Sequence, residues 1–138
     1  MYEYKCTVLR IIDGDTLDVD VDLGFSVALK KQRIRMYGID TPESRTRDKE
    51  EKVRGLLSKE FLKQFCPVGS DIRLISHGKG KYGRILGEIF AVNGMGSINQ
   101  YMCNEGYAVE YTGGSKDELK TKHLANKEKL IAKGILTV

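Results

Sequence analysis

The sequence predicts an α+β domain, a five-stranded OB-type β-barrel with three α-helices. Three observations carry that expectation. The first third of the chain is rich in β-formers and alternates apolar and polar residues at the period of strands. A helical period then runs through Val53, Leu57 and Phe61, and two further strand-like runs follow it. Two helix-start signals, Ser97 with Gln100 and Ser115 with Glu118, occupy the remainder. The order strands, helix, strands, helix, helix suits a small, strongly bent sheet with one helix inserted before its last pair of strands. That architecture often binds oligonucleotides.

Each element has its own signal. "YEYKCTVLRII" opens the sheet, and "DGD" is a tight turn into "TLDVDVDL". There Leu17, Val19, Val21 and Leu23 share one face, and Asp18, Asp20 and Asp22 the other. "FSVALKKQRIRMYGI" reads as one strand long enough to bend, and Asp-Thr-Pro ends it because proline removes a donor and extends the residue before it. The first helix carries Val53, Leu57 and Phe61 on its apolar side with Leu56 beside them, and stops at Cys66-Pro67-Val68-Gly69. "DIRLIS" and "RILGEIFAV" are strands joined by "HGKGKYG", with Asn93-Gly94 closing the second. "SINQYMCNEG" is a short helix with Gly106 at its C-cap, and "YAVEY" is extended. The last helix places Leu119, His123 and Leu130 roughly on one side and ends near Gly134.

The totals exclude several classes. At 138 residues, one domain covering residues 1–138 is expected, with a core that needs no staples. Cys6, Cys66 and Cys103 are widely spaced and odd in number, which fits neither a disulfide framework nor a zinc site and suits a reducing compartment. No apolar run approaches a membrane span, and "MYEYKCTVLR" lacks the pattern of a signal peptide. A cytoplasmic monomer without membrane contact is the expectation, with a removed leader or another export route left open. A net charge of +4 suits a polyanion partner without requiring one.

Three clusters at turns or strand ends bear chemistry: "DGDT" at residues 13–16, "RMYGIDTPE" at 35–43 and "KYGR" at 81–84. They supply carboxylates, a hydroxyl and two arginines. Hard divalent cations take such oxygen ligands. Guanidinium groups bind the oxygens of a phosphoryl group bidentately, and a nearby glutamate can activate water. Singly, each cluster also reads as turn chemistry, a strand exit or a solvated hairpin. His77 and His123 read as surface or core fillers, since two histidines alone make a poor metal site.

Together, in this order and spacing, the three clusters resemble the staphylococcal nuclease (thermonuclease) family, over nearly the whole chain. The resemblance implies an OB-fold barrel with three helices and a calcium-dependent phosphodiesterase site on its surface. Asp15 and Asp40 match the family's calcium-binding carboxylates, and Thr41 the position that lends its backbone carbonyl. Glu43 matches the glutamate assigned as general base. Arg35 and Arg84 match the arginines that bind the phosphate in its transition state. Lys81 and Tyr82 match contacts to a terminal phosphate, Tyr111 a base-stacking tyrosine, and Asp13 an outer-shell carboxylate. The chain departs from the family pattern at Gly80, where an aspartate is familiar, at Tyr37-Gly38, and in the loop 44–55.

The implied activity is calcium-dependent endonucleolytic hydrolysis of DNA and RNA, preferably single-stranded or unpaired, leaving 3′-phosphates. Lys79, Lys81, Arg45 and Arg47 would add a nonspecific footprint for the backbone. Two other readings compete. One is an inactive OB-fold module that binds nucleic acid or a protein partner, and the other is a phosphodiesterase for small nucleotides. The full set Asp15, Arg35, Asp40, Glu43 and Arg84 favours an enzyme, because a pure binder has no need to combine them. The length of the cleft would separate a nuclease from the small-nucleotide enzyme.

Overall fold

A computed structural model describes residues 2–91, 96–111 and 113–137; the side chain of Lys81 also lies outside what is described, as do Asn93 and Gly94. Strands β1 (Glu3–Asp13), β2 (Thr16–Gly24) and β3 (Val27–Met36) form an antiparallel meander. The short strand β4 (Ile39–Asp40) and helix α1 (Lys49–Phe65) follow. Strands β5 (Asp71–Lys79) and β6 (Ile85–Ala91) come next, then α2 (Ile98–Asn104), β7 (Val109–Glu110) and α3 (Lys116–Ala132). Five strands close into a barrel in the order β1-β2-β3-β6-β5, while β4 pairs with β7 in a separate two-stranded ladder. This is the OB-fold α+β architecture expected. Closure is made by a parallel β3–β6 pairing, with Arg35 opposite Leu86.

The alternating pattern of β2 becomes burial. Leu17, Val19 and Val21 are buried in the barrel with Val8, Ile34, Ile72, Leu74 and Ile89. The aspartates of β2 face out and are paired: Arg33 reaches Asp18 at 2.9 Å, and Lys30 lies 3.4 Å from Asp20. Leu23, expected on the apolar face, lies past the barrel wall and is exposed.

Three expectations need correction. The strand expected to run from residue 25 to 39 is two strands, because Gly38 adopts a positive φ of 78° and turns the chain between β3 and β4. On α1 the buried residues are Arg54, Gly55, Ser58 and Leu62, whereas Val53 and Leu56 are about half exposed. Phe61 packs against the core as expected, but the middle of the helix seats through the small residues Gly55 and Ser58, which carry no apolar signal. Gln100 does not complete a capping box: Ser97 Oγ accepts from its backbone N–H at 3.2 Å, but its side chain donates to Asn104. Asp48, unremarked in the sequence, caps α1 by accepting from the amides of Glu50 and Glu51.

Gly55 has a positional role. A Cβ there would lie 2.6 Å from Ser44 N and closer still to the Glu43 carbonyl, so only glycine lets α1 seat against the Thr41–Ser44 turn. Gly14 is similar: its Cβ would lie 2.7 Å from Ser58 Cβ and 3.1 Å from Thr41 Oγ1. Helix α1 therefore presses two site-bearing turns together. We predict that Gly55→Ala destabilises the fold by about 1–3 kcal/mol through overpacking, although alanine is the better helix former by roughly 1 kcal/mol. Urea unfolding checks this, and an equal or more stable variant would contradict the close seating.

Candidate active site

Asp15 occupies the two-residue turn between β1 and β2, closed by the pairing of Asp13 with Thr16. It is only 7% exposed. Oδ1 accepts from Thr16 Oγ1 at 2.9 Å, and Oδ2 accepts from the Thr41 amide at 3.1 Å. Arg35 Nη1 lies 3.2 Å from the same Oδ2. Arg35 is opposite Thr16 in the β2–β3 register, which is why the guanidinium reaches the turn. Its Nη1 also donates to Met36 O, and Nη2 donates to Asp40 Oδ1 at 3.2 Å. One guanidinium thus joins two carboxylates from two different turns.

Burial raises the Asp15 carboxyl pKa above the ordinary range, and the neighbouring Asp40 charge raises it further; Arg35, Thr16 and the Thr41 amide oppose them without cancelling the rise. The remaining oxygen of Asp40 is held from another direction. His123 on α3 places Nε2 2.8 Å from Asp40 Oδ2, with its ring largely buried and Nδ1 without a partner among the described residues. The reading of His123 as a filler is therefore overturned: it is the contact by which α3 reaches the site. Its place on the same side of the helix as Leu119, four residues before it, gave no sign of this contact, since Asp40 lies 83 residues away.

The remaining residues divide between two clefts. One, of about 640 Å³, is lined by Ile12, Asp13, Thr16, Arg33, Tyr82 and Arg84, among others. The other, of about 660 Å³, is lined by Asp40, Thr41, Glu43, Arg54, Lys120 and His123, among others. Glu43 is exposed and its amide contacts Glu51 Oε1 at 3.4 Å. Arg84 follows a single 3-10 turn (Lys81–Gly83), and its guanidinium stands 6.0 Å from the ring centroid of Tyr82, which is 93% exposed. Tyr82 itself takes a positive φ of 62°. Asp13 Oδ1 accepts from the Ser44 amide at 3.2 Å, tying the β1–β2 turn to the residue after Glu43. Asp15 bonds Thr16 of the first cleft and Thr41 of the second, so the ion-paired cluster joins them. Tyr111 lines neither cleft; its amide donates to Gly38 O at 2.8 Å beside the β4–β7 ladder. His77, the other histidine read as a filler, stacks on Tyr37 with ring centroids 4.2 Å apart.

Chemically, the arrangement offers hard oxygen donors, cations shaped for phosphate and accessible carboxylates, Glu43 among them. Among the described residues, no group of three or more His, Cys, Asp or Glu side chains is spaced to hold a metal. The donors near Asp15 are of the right kind for a hard cation completed by water: two carboxylates, the Thr41 carbonyl, and the buried Thr41 Oγ1, which has no hydrogen-bond partner. Thiol chemistry is absent from the cluster. Burial pushes Cys6 and Cys66 up to about 12 and Cys103 up to about 11, so all three stay protonated near neutral pH.

Residues 33–134 match the family model described as staphylococcal nuclease homologue. The chain belongs to the staphylococcal nuclease family. An uncharacterized endonuclease of Escherichia coli is 34% identical over 104 residues, covering 75% of this chain and 59% of the relative. A thermonuclease of Staphylococcus hyicus is 33% identical over 108 residues, covering 77% and 59%. Endonuclease YhcR of Bacillus subtilis (strain 168) is 31% identical over 116 residues, which is 79% of this chain but 9% of that protein. The chain thus spans about three-fifths of the length of the first two. No helix among the described residues is long and apolar enough to cross a membrane.

Replacing Arg35 by methionine would leave two buried or half-buried carboxylates without their cation. Breaking such a pair by removing one partner costs about 3–5 kcal/mol. The Asp15 pKa is already raised in the folded state, so its ionisation as pH rises above the ordinary carboxylate range disfavours folding. Without Arg35 that effect grows. Arg35→Met is expected to lose most of its stability relative to wild type near neutral pH and to recover part of it as Asp15 protonates in acid. Chemical denaturation across that range checks this, and a deficit independent of pH would contradict it.

Proposed function

We propose that this staphylococcal nuclease family member is a calcium-dependent endonuclease that hydrolyses DNA and RNA, preferably unpaired, to products ending in 3′-phosphate and 5′-hydroxyl. The single observation that supports it best is the convergence of Asp15, Asp40 and Arg35, with Thr41 beside them, at the junction of two clefts whose walls carry Glu43 and Arg84. Asp15, Asp40 and Thr41 would hold calcium, which when bound supplies Lewis-acid neutralisation of a non-bridging phosphate oxygen.

The chain's own residues do the rest. Arg35 exchanges part of its carboxylate bonding for a phosphate oxygen, and its fork geometry suits both partners. Arg84, held near the exposed Tyr82, binds charge that develops towards the leaving oxygen. Glu43 is exposed to water in its cleft and orients or deprotonates the attacking molecule. His123 fixes the far oxygen of Asp40 and so limits the rotation of that carboxylate. Asp13 holds the Ser44 amide, and through it the backbone next to Glu43.

An inactive binding module would not require an exposed glutamate in the same cleft as Asp40, whose carboxylate shares Arg35 with the buried Asp15. The exposed aromatic ring of Tyr82 is the one stacking surface found in the clefts among the described residues, which is little for a binder that relies on stacking. Heat-denatured DNA and RNA incubated with the protein, with calcium or with chelator, test the proposal. Calcium-dependent cleavage with 3′-phosphate ends is expected, and its absence would turn the reading to the binding module. Arg84→Ala and Glu43→Ala should each slow cleavage by about 10²–10³-fold. Wild-type rates in either variant would remove that residue from the mechanism.

A further inference from the structure

Asn99, the second residue of α2, is 3% exposed and bonded at both ends of its side-chain amide. Oδ1 accepts from the Ile89 amide at 3.1 Å. Nδ2 donates to Tyr37 O at 2.9 Å and to Gly87 O at 3.2 Å. The partners fix which way the amide points, since carbonyls only accept and a backbone N–H only donates. A buried polar side chain thus ties β6 to the segment that leaves β3.

That segment is the turn between Arg35 and Asp40, and its backbone is held on several sides. Met36 N donates to Asp15 O at 2.8 Å, and Met36 O accepts from the Arg35 guanidinium. Tyr37 N donates to Gly87 O at 2.7 Å, and Gly38 O accepts from Tyr111 N at 2.8 Å. Tyr37 O is the carbonyl that Asn99 holds. Gly38 has a φ of 78°, the value of the third residue in a type II turn. Types I and II differ by rotation of the central peptide, here Tyr37–Gly38, and glycine tolerates both. The donor on Asn99 therefore selects one orientation of that peptide. Ile39 and Asp40 follow at once, paired with Glu110 and Val109 of β7, and Asp40 Oδ1 lies 3.2 Å from Arg35 Nη2. Rotating the peptide would carry Asp40 out of that pairing and away from the guanidinium.

We propose that Asn99 is a positioning residue for the cleavage reaction: by holding Tyr37 O it locks the Tyr37–Gly38 peptide and so sets Asp40 against Arg35. The inference rests on the nuclease reading and adds to it a residue of α2, an element that supplies no group to the reaction itself. Asn99 acts through the backbone of the turn, and its chemistry is that of a hydrogen-bond donor rather than of an acid, a base or a ligand. A displacement of about 1 Å in a reacting group can cost about 10²-fold in rate, so small errors in this turn are costly.

Two variants approach the same peptide from opposite sides. Asn99→Ala removes the donor. Gly38→Ala keeps Asn99 but opposes the positive φ, and its Cβ meets nothing within 4 Å, so it carries the test if Asn99→Ala does not fold. Each folded variant is expected to cut heat-denatured DNA in calcium with kcat lowered about 10²-fold and KM little changed. In metal-free protein without substrate, nuclear magnetic resonance should show the Arg35 Nη–H signals shifted in both variants. The Asn99 Nδ2–H signals should shift in Gly38→Ala as their carbonyl turns away. Wild-type kcat in a folded variant would overturn the proposal. So would a loss confined to KM, or a loss of kcat with unmoved Arg35 signals. The nuclease reading fails separately. A wild-type protein that does not cleave, with Arg35 signals that shift in the variants, would overturn that reading and leave Asn99 as the residue that sets Arg35 against Asp40. Cleavage by wild type with unmoved signals would do the reverse.

Discussion

Arg35 holds the centre of this molecule. Its guanidinium reaches from β3 to Asp15 in the β1–β2 turn, to Asp40 at the end of β4, and to the carbonyl of Met36. Without that cation, the turn and the strand end would each present a carboxylate to the other in a largely dry interior. Buried ion pairs contribute little net stability against a well-packed apolar alternative, because desolvation offsets most of the attraction. What this one contributes is position. It fixes two oxygen-bearing side chains from distant parts of the chain at the junction of two clefts.

The barrel and helices exist, from the site's standpoint, to keep that junction closed. The pairing of Thr16 with Arg35 aligns the turn and the guanidinium, and the parallel pairing of Arg35 with Leu86 brings the segment carrying Arg84 alongside. Helix α1 seats through Gly55 and Ser58, residues small enough to let backbone meet backbone at Glu43 and Gly14. Helix α3 supplies His123 to the outer oxygen of Asp40. Each support comes from a different element, so the site records the tertiary fold rather than any one motif.

That division explains what could be read in the sequence. The strands were legible because Leu17, Val19 and Val21 alternate with aspartates, a pattern with one folding solution. The three turn clusters were legible because carboxylates, threonine and arginine keep a fixed spacing, and the family resemblance gave each a role. The contact face of α1 was not legible, since Gly55 and Ser58 carry no hydrophobic signal while exposed Val53 and Leu56 do. The role of His123 was missed for a related reason: its partner Asp40 lies 83 residues away in the chain. The β3–β4 break depended on a single backbone angle at Gly38. Local chemistry was readable; long-range company was not.

The central claim is that one guanidinium has two sets of partners, carboxylates at rest and a phosphate oxygen when substrate is present. Nuclear magnetic resonance of the Arg35 guanidinium protons addresses it directly, with calcium and a non-hydrolysable single-stranded analogue added separately and together. The account predicts slowly exchanging Nη–H signals in the free protein, held by Asp15 and Asp40, that shift when both are present; their absence from Arg35→Met assigns them. Signals of Arg35 that stay unmoved on saturation with analogue and calcium would show that this residue only builds the fold, and would contradict the claim.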